Sequence, residues 1–212
     1  MTPEHHPHEE LLVDHASGAL AAAPALLVAT HLALCPHCRA GVAALEAAGA
    51  DLLHEDEAAP VDEASLERAL ARLNGQEART PRTPGAWPPS PLRDYLSGGL
   101  EELPWRRRLS GVYSCPLPGV GRGGKVEMLR IQPGRSVPQH IHRGVEMTLV
   151  LEGSYTDALG RFARGDVCVA DEAILHRPVA DRGPDCICLT VTEGVLRFSG
   201  PFGWIANPLQ RA

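Results

Sequence analysis

Aromatic residues are scarce in this sequence, and so is lysine. Phe, Trp and Tyr make up 4% of the 212 residues, so aliphatic and alanine side chains must fill most of any interior. Lys125 is the single lysine among 20 basic residues. Hydrophobic residues still account for 44% of the chain, which is enough to build a packed core and argues against global disorder.

Long apolar runs are also lacking. No stretch reaches the roughly 18 consecutive apolar residues that a membrane-spanning helix needs. The most apolar segment, residues 19–34, is interrupted by Pro24 and His31, and the N-terminus is acidic and histidine-rich, unlike a signal peptide. We therefore expect a soluble, cytoplasmic protein without membrane contacts. Its six cysteines are then expected as thiols or metal ligands, not as disulfides.

Charge is unevenly spread along the chain. Residues 1–75 contain twelve acidic and three basic residues and carry −9, whereas residues 76–212 carry +3. The change of sign indicates two domains with different partners. Phosphates repel an acidic domain, so we expect no direct contact with nucleic acid. A basic protein is a suitable partner, although an acidic solvated surface explains the same charge.

Helical periodicity dominates the first third of the chain. The pattern predicts four helices: one that ends at Gly18, then Pro24–Leu34, Arg39–Leu53 and Asp62–Leu73, with Asp62 as the N-cap of the last. Five prolines follow between positions 81 and 91 without apolar periodicity, which predicts an extended linker over residues 76–91. From residue 92, short apolar runs separated by regularly spaced glycines predict an antiparallel barrel or sandwich. The expected architecture is therefore a helical domain (1–75), a linker (76–91) and a β domain (92–212).

A first candidate metal site lies at the end of the predicted second helix. His31 and Cys35 are four residues apart and share a helical face, and Cys38 returns after Pro36. Imidazole and thiolate are the ligands that Zn²⁺ prefers, and a structural site takes four of them. Nearby histidines could supply the fourth: His5, His6, His8, His15, His37 and His54. We favour His6, with His5 as its competitor. A Cys-x2-Cys pair also occurs in redox motifs, but the helical flanks do not fit a βαβ setting.

A second candidate metal site falls in the β region. His140 and His142 point to the same side of a strand, Glu146 follows a turn at Arg143-Gly144, and His176 could close the site from a distant strand. Three histidines and a carboxylate suit several divalent transition metals, zinc among them, without selecting one. The alternative is that these histidines only pack or donate hydrogen bonds.

Two further cysteines form a Cys-x-Cys pair in an apolar run. Cys186 and Cys188 would face the same side of a strand. Buried thiols in a core are the more common interpretation. Both remain candidates for a redox role, which requires an exposed thiolate of low pKa.

Each metal motif resembles a known family. The segment from His31 to Cys38 resembles the core of the zinc-binding anti-sigma domain, and residues 134–153 resemble the first motif of the cupin superfamily. The second cupin motif is only partly present. Gly165 and His176 have the expected separation, but three of the family's other motif positions are changed, to Asp171, Ala173 and Ala180.

The order of the two motifs resembles the ChrR-type zinc-binding anti-sigma factors, over nearly the whole chain. This resemblance implies zinc on His6, His31, Cys35 and Cys38, and a second divalent metal on His140, His142, Glu146 and His176 in a cupin-type antiparallel β-barrel. It also implies a 1:1 complex with an extracytoplasmic-function sigma factor. The helical domain would inhibit the sigma factor, and the cupin domain would cause its release on oxidative stress of the singlet-oxygen type. We expect no enzymatic activity. The alternative is a metal-dependent cupin enzyme, such as a dioxygenase, with a zinc-binding accessory domain.

Overall fold

Four helices form the N-terminal part of the molecule, as predicted. The computed structural model describes residues 2–56, 60–62, 64–74, 87–96 and 98–199. The helices are α1 (Glu9–Ala16), α2 (Ala22–Leu34), α3 (Pro36–Glu55) and α4 (Ser65–Asn74). Within the described part of the chain, no one helix is long and apolar enough to cross a membrane. The pair Ala22–Leu34 and Pro36–His54, bent by 117° at its break, meets that criterion only when taken together.

The junction between α2 and α3 is short. Pro36 ends α2, as predicted, but it also begins α3, three residues before the predicted start at Arg39. A proline is well accommodated in the first turn of a helix, because its missing N–H would have no intrahelical partner there. Cys35 caps α3, and its Sγ accepts a hydrogen bond from the backbone N–H of Cys38 at 3.5 Å. The two cysteines of the motif therefore meet at one helix end.

The C-terminal part is an antiparallel β structure, as predicted. Its strands are β1 (Arg106–Leu109), β2 (Val112–Pro116), β3 (Lys125–Ile131), β4 (His140–Arg143), β5 (Glu146–Glu152), β6 (Ser154–Asp157), β7 (Gly160–Ala163), β8 (Val167–Ala170), β9 (Val179–Ala180), β10 (Cys186–Thr192) and β11 (Val195–Phe198). Sheet orders are β1-β2-β3-β10-β5-β8, β11-β4 and β7-β6-β9. Strand pairing among the described residues does not join these three sheets into one closed barrel, so the barrel is more open than expected.

The central strands of the six-stranded sheet are buried on both faces. Its inner face packs against the three-stranded sheet through a cluster that includes Val150, Cys168, Cys186, Cys188, Tyr155 and Phe162. Its outer face carries Met128, Leu149 and Leu189, which belong to one hydrophobic cluster with Leu26 and Leu27 of α2. Helix α2 therefore covers the outer face, and the helical and β parts share a core. Burial of each leucine stabilises this contact by about 1.5–3 kcal/mol.

A glycine-rich loop of the β part receives the beginning of α2. The backbone N–H of Ala23 donates to the carbonyl of Arg122 at 2.9 Å. Gly123 has φ +102°, and a Cβ at this position would lie 2.7 Å from Ala21 Cβ and from Pro24 Cδ. Only glycine combines this backbone conformation with so close an approach.

The predicted linker is described only at its C-terminal end. Residues 75–86 lie outside the described residues. Beyond them, Trp87 packs against the shared core, and Ser90–Asp94 forms a short 3-10 helix with the buried side chain of Leu92 beside α2. This part of the segment is folded against α2.

Candidate metal centres

The first cluster brings together four potential ligands from three places in the helical part. His6 comes from the segment before α1, His31 from the last turn of α2, and Cys35 and Cys38 from the start of α3. One ligand atom from each lies within 4.8 Å of all the others. His6 Nδ1 is 3.5 Å from Cys35 Sγ and 3.3 Å from Cys38 Sγ. A tetrahedral zinc site with ordinary Zn–S and Zn–N bonds has S···N edges of about 3.6 Å.

His31 presents an unprotonated nitrogen to this cluster. Its Nδ1 lies 2.8 Å from the carbonyl oxygen of Gly165, which can only accept, so Nδ1 carries the proton. Burial lowers the pKa of His31 and keeps the ring neutral. The lone pair of Nε2 therefore faces the cluster, and this buried atom has no hydrogen-bond partner among the described residues. A metal ion would satisfy it.

The two thiols also fit a cation. Burial, together with the adjacent Cys35 thiol, raises the pKa of Cys38 to about 12. Without a positive charge, the Cys38 sulfur therefore stays protonated, whereas a bound Zn²⁺ favours the thiolate. The donor set, its spacing and its burial fit a structural zinc ion.

The structure separates the two histidines that compete for the fourth position. His6 reaches the cluster, whereas His5 turns toward the β part, where its ring lies 4.5 Å from that of Phe162. His5 Nδ1 is 3.5 Å from Asp166 Oδ2. The exposed side chain of His37 lies outside the group of four.

The second cluster lies inside the β part. His140 and His142 lie on β4, Glu146 begins β5, and His176 precedes β9. His176 Nε2 is 3.0 Å from the Nε2 atoms of both His140 and His142. Glu146 Oε1 is 3.8 Å from His142 Nε2. The bridge between His140 and His176, with backbone hydrogen bonds of 3.0 and 3.1 Å, sets the positions of these two histidines.

Hydrogen bonds fix the tautomers here too. His140 Nδ1 donates to the Pro138 carbonyl at 2.7 Å, and His176 Nδ1 to Asp157 Oδ2 at 2.9 Å. Their Nε2 lone pairs therefore converge on one point. Burial lowers the pKa of His140 to about 4 and that of His142 to about 3. Converging lone pairs repel one another unless a cation lies between them, so the arrangement fits a metal ion.

Glu146 completes the second cluster with a carboxyl group. Burial raises its pKa, and the neighbouring His176 together with hydrogen bonds from Thr148 and Thr192 opposes that rise. The two hydroxyls lie 3.3 and 3.4 Å from its oxygens. Three imidazoles and one oxygen can hold a divalent transition metal and leave coordination positions open.

The Cys-x-Cys pair belongs to neither cluster. Cys186 Sγ and Cys188 Sγ are 3.6 Å apart, and both residues are buried in the inner core. The hydrogen bond from Cys186, followed by burial, raises the pKa of Cys188. These surroundings favour a protonated Cys188 thiol, and both cysteines pack in the core. Their redox role remains a prediction.

Sequence reasoning missed the residues that hold the ligands. No recognisable sequence motif marks Asp157, Gly165 and Asp166 as partners of the ligands, because aspartate and glycine are common in turns. In the sequence, Gly165 is recognisable only as a position of the second cupin motif. Its carbonyl, which faces a histidine 134 residues away, leaves no signal in the sequence.

Together, the fold and the two clusters define a two-part protein with two groups of side chains that could each hold a metal ion. A helical part with a His2Cys2 cluster packs on an antiparallel β part with a His3Glu cluster. Residues 97–196 match the family described as the ChrR cupin-like domain. The cupin fold expected from the sequence is thereby confirmed.

The chain belongs to the ChrR family of anti-sigma factors. It is 42% identical over 213 residues to the anti-sigma-E factor ChrR of Cereibacter sphaeroides, and the match covers 100% of both proteins. It is similar, with a TM-score of 0.78 and 42% identity, to a chain of the crystal structure of Rhodobacter sphaeroides SigE in complex with the anti-sigma ChrR. That match covers 91% of this chain and 100% of the other. The resemblance to ChrR-type anti-sigma factors is confirmed.

Proposed function

We propose that this protein is an anti-sigma factor that binds one extracytoplasmic-function sigma factor and keeps it from RNA polymerase. The observation that carries the proposal is the 42% identity with an anti-sigma-E factor across the full length of both chains. We further propose the cytoplasm as its location, because RNA polymerase is there. In this proposal the helical domain (1–75) inhibits the sigma factor, residues 76–91 link the two domains, and the cupin domain (92–212) responds to the signal.

An exposed apolar stripe on α4 supports a protein partner for the helical part. Leu66, Leu70 and Leu73 share one helical face and are 68%, 49% and 64% exposed. The end of α3 adds Leu52 and Leu53, which are 68% and 74% exposed. Exposed leucines grouped in this way are typical of a protein interaction surface.

Charge favours a basic partner for the same part. Residues 1–75 carry −9, whereas sigma factors present basic surfaces to DNA. Acidic side chains around an apolar stripe would speed association and exclude acidic competitors. The expected interface therefore has an apolar centre and an acidic border.

Zinc in the first cluster has a structural role in this proposal. The four protein ligands leave no open coordination position, so the site is not suited to catalysis. The ligands join the N-terminal segment, α2 and α3, and the metal supplies folding free energy to a small helical domain.

The second cluster is the proposed sensor. A divalent transition metal held by three histidines and Glu146 keeps positions open for a small reactive molecule. Oxidants of the singlet-oxygen type are the proposed signal, following the resemblance to ChrR-type factors. A change here would shift the helical part toward a state that does not bind the sigma factor.

Binding can be tested with the full chain and a sigma factor from the same genome. Leu66→Asp combined with Leu70→Asp should weaken the complex at least about 100-fold, because charge replaces apolar contacts at the centre of an interface. Leu175→Asp changes a leucine of the cupin part that is 45% exposed and is the matched control. Equal affinity of the double variant and the control would exclude this stripe as the interface.

Sensing can be tested by replacing His140, His142 and Glu146 together with alanine. The variant should still repress a sigma-dependent reporter gene but no longer respond to singlet oxygen. Loss of repression would contradict the proposed division between the two parts.

The enzyme alternative has less support, because the relative matched over its full length is an anti-sigma factor. We propose a regulator without catalytic turnover. Metal-dependent conversion of a small substrate by the full chain would contradict this.

A further inference from the structure

The cupin part contributes directly to the first metal cluster through the turn between β7 and β8. This turn, residues 163–167, contacts the N-terminal segment that carries His6. The backbone N–H groups of Glu4 and His5 donate to Asp166 Oδ1 at 2.6 and 3.0 Å. The N–H of Val167 donates to the carbonyl of His5 at 3.1 Å. Three hydrogen bonds therefore hold the segment just before His6 against the turn.

Asp166 is a buried carboxylate that joins the two parts of the molecule. Only 3% of the residue is exposed. Its Oδ1 accepts from the N-terminal segment, and its Oδ2 accepts from the backbone N–H of Ala163 at 2.7 Å. Burial alone would raise the pKa of Asp166, but the hydrogen bonds from His5, Ala163 and Glu4 lower it. The carboxylate is therefore charged and shared between its own turn and a segment about 160 residues away.

Gly165 holds the second histidine of the cluster. Its carbonyl accepts from His31 Nδ1 at 2.8 Å and so directs Nε2 toward the cysteines. Gly165 has φ +94°, and a Cβ there would lie 2.6 Å from Cγ of Pro3. Glycine is required for this conformation and for the close approach of the N-terminal segment.

The chain just before this turn, at Asp157, contacts the second cluster. The hairpin β6–β7 begins with the strand of Asp157, whose carboxylate accepts from His176 Nδ1 at 2.9 Å. Gly165 follows Asp157 by eight positions. One short stretch of the cupin part therefore contacts a histidine of each cluster.

We propose that the 163–167 turn, through Gly165 and Asp166, is a positioning element for the zinc ligands His6 and His31. The cupin domain then orients ligands of the metal site in the anti-sigma domain. This inference rests on the proposed zinc site. Outer hydrogen-bond partners of a metal-bound histidine fix its tautomer and orientation, and their loss typically costs about 10- to 100-fold in metal affinity.

Asp166→Asn in the full chain tests the proposal, because an amide cannot accept at both of its ends. Co²⁺ is the probe, since thiolate-to-cobalt charge-transfer absorption reports only the cluster that contains cysteines. The matched control is Asp181→Asn, which alters a carboxylate bonded to Ser154, Thr156 and Arg161 wholly within the cupin part. Asp166→Asn should raise the cobalt dissociation constant of this site about 10-fold, the lower end for outer partners, because Asp166 bonds the backbone before His6 and not a ligand ring. Asp181→Asn should leave the dissociation constant unchanged.

Equal affinity of Asp166→Asn and the parent protein would overturn the proposal, as would equal losses in both variants. No thiolate absorption in the parent protein would instead show that the proposed zinc site is wrong.

Hydrogen exchange of the parent protein tests whether metal binding and the turn are coupled, even if Asp166→Asn does not fold. Metal binding should slow exchange at the amides of His5 and Val167, and should not do so in Cys38→Ser. Unchanged exchange at both amides in the parent protein would overturn the proposal.

Discussion

Replacement of Leu27 by alanine tests whether the helical and cupin parts share one core. Leu27 is fully buried in the cluster that joins α2 to the outer face of the six-stranded sheet. Deleting its branched side chain removes contacts to both parts and leaves a cavity, at a cost of about 2–5 kcal/mol in the free energy of unfolding. With an m value of roughly 2–3 kcal/mol/M, the urea midpoint falls by roughly 1–2 M.

Two spectroscopic signals follow this unfolding separately. Circular dichroism reports mainly on the helices, whereas fluorescence reports on the three tryptophans, which all follow α4 in the chain. Because the core is shared, Leu27→Ala should lower the midpoints of both signals by similar amounts.

The matched control is Leu53→Ala. Leu53 is 74% exposed, so the same chemical change should alter the free energy of unfolding by less than about 0.5 kcal/mol. A Leu27→Ala protein whose helical signal shifts while its fluorescence midpoint stays unchanged would refute the shared core and favour two independent domains.

Three further predictions concern the metal clusters and the thiols. Asp157→Asn should weaken metal binding by the cupin cluster about 10- to 100-fold, because His176 loses its charged hydrogen-bond acceptor. Metal titration of this variant and of Asp181→Asn as the control measures the effect, and equal metal affinities of the two variants would contradict the prediction. A chelator that empties the first cluster should lower the thermal midpoint of the helical signal, and an unchanged midpoint would argue against a structural metal. Iodoacetamide at neutral pH should label Cys168 and Cys188 only after unfolding. Burial raises the pKa of Cys168 to about 12, and hydrogen bonding and burial raise the pKa of Cys188. Rapid labelling of the folded protein, detected by mass spectrometry, would contradict this prediction.

The local elements were predictable because their signals lie within short segments. His31, Cys35 and Cys38 sit within eight residues, and a helix followed by a proline turn brings them together. His140 and His142 share a strand face for an equally local reason. The choice of His6 over His5 was not determined by such patterns, because it depends on contacts with Phe162 and Asp166.

The packing of α2 on the sheet was missed, although the sequence contains two signs of it. Residues 19–34 are apolar around most of the helix, which is typical of a helix buried on several sides. The segments of β5 and β10 are almost continuously apolar, whereas a strand in a sheet with one solvated face alternates apolar and polar residues. Neither sign identifies the partner, because hydrophobic burial has no directional code.

In the proposed function, one copy of this chain binds one extracytoplasmic-function sigma factor. The most direct measurement is the mass, by light scattering, of the complex formed when the full chain is produced with each such sigma factor of its own genome. We expect one of them to give a stable 1:1 complex. Failure of all of them to bind the zinc-loaded protein would contradict the proposed function.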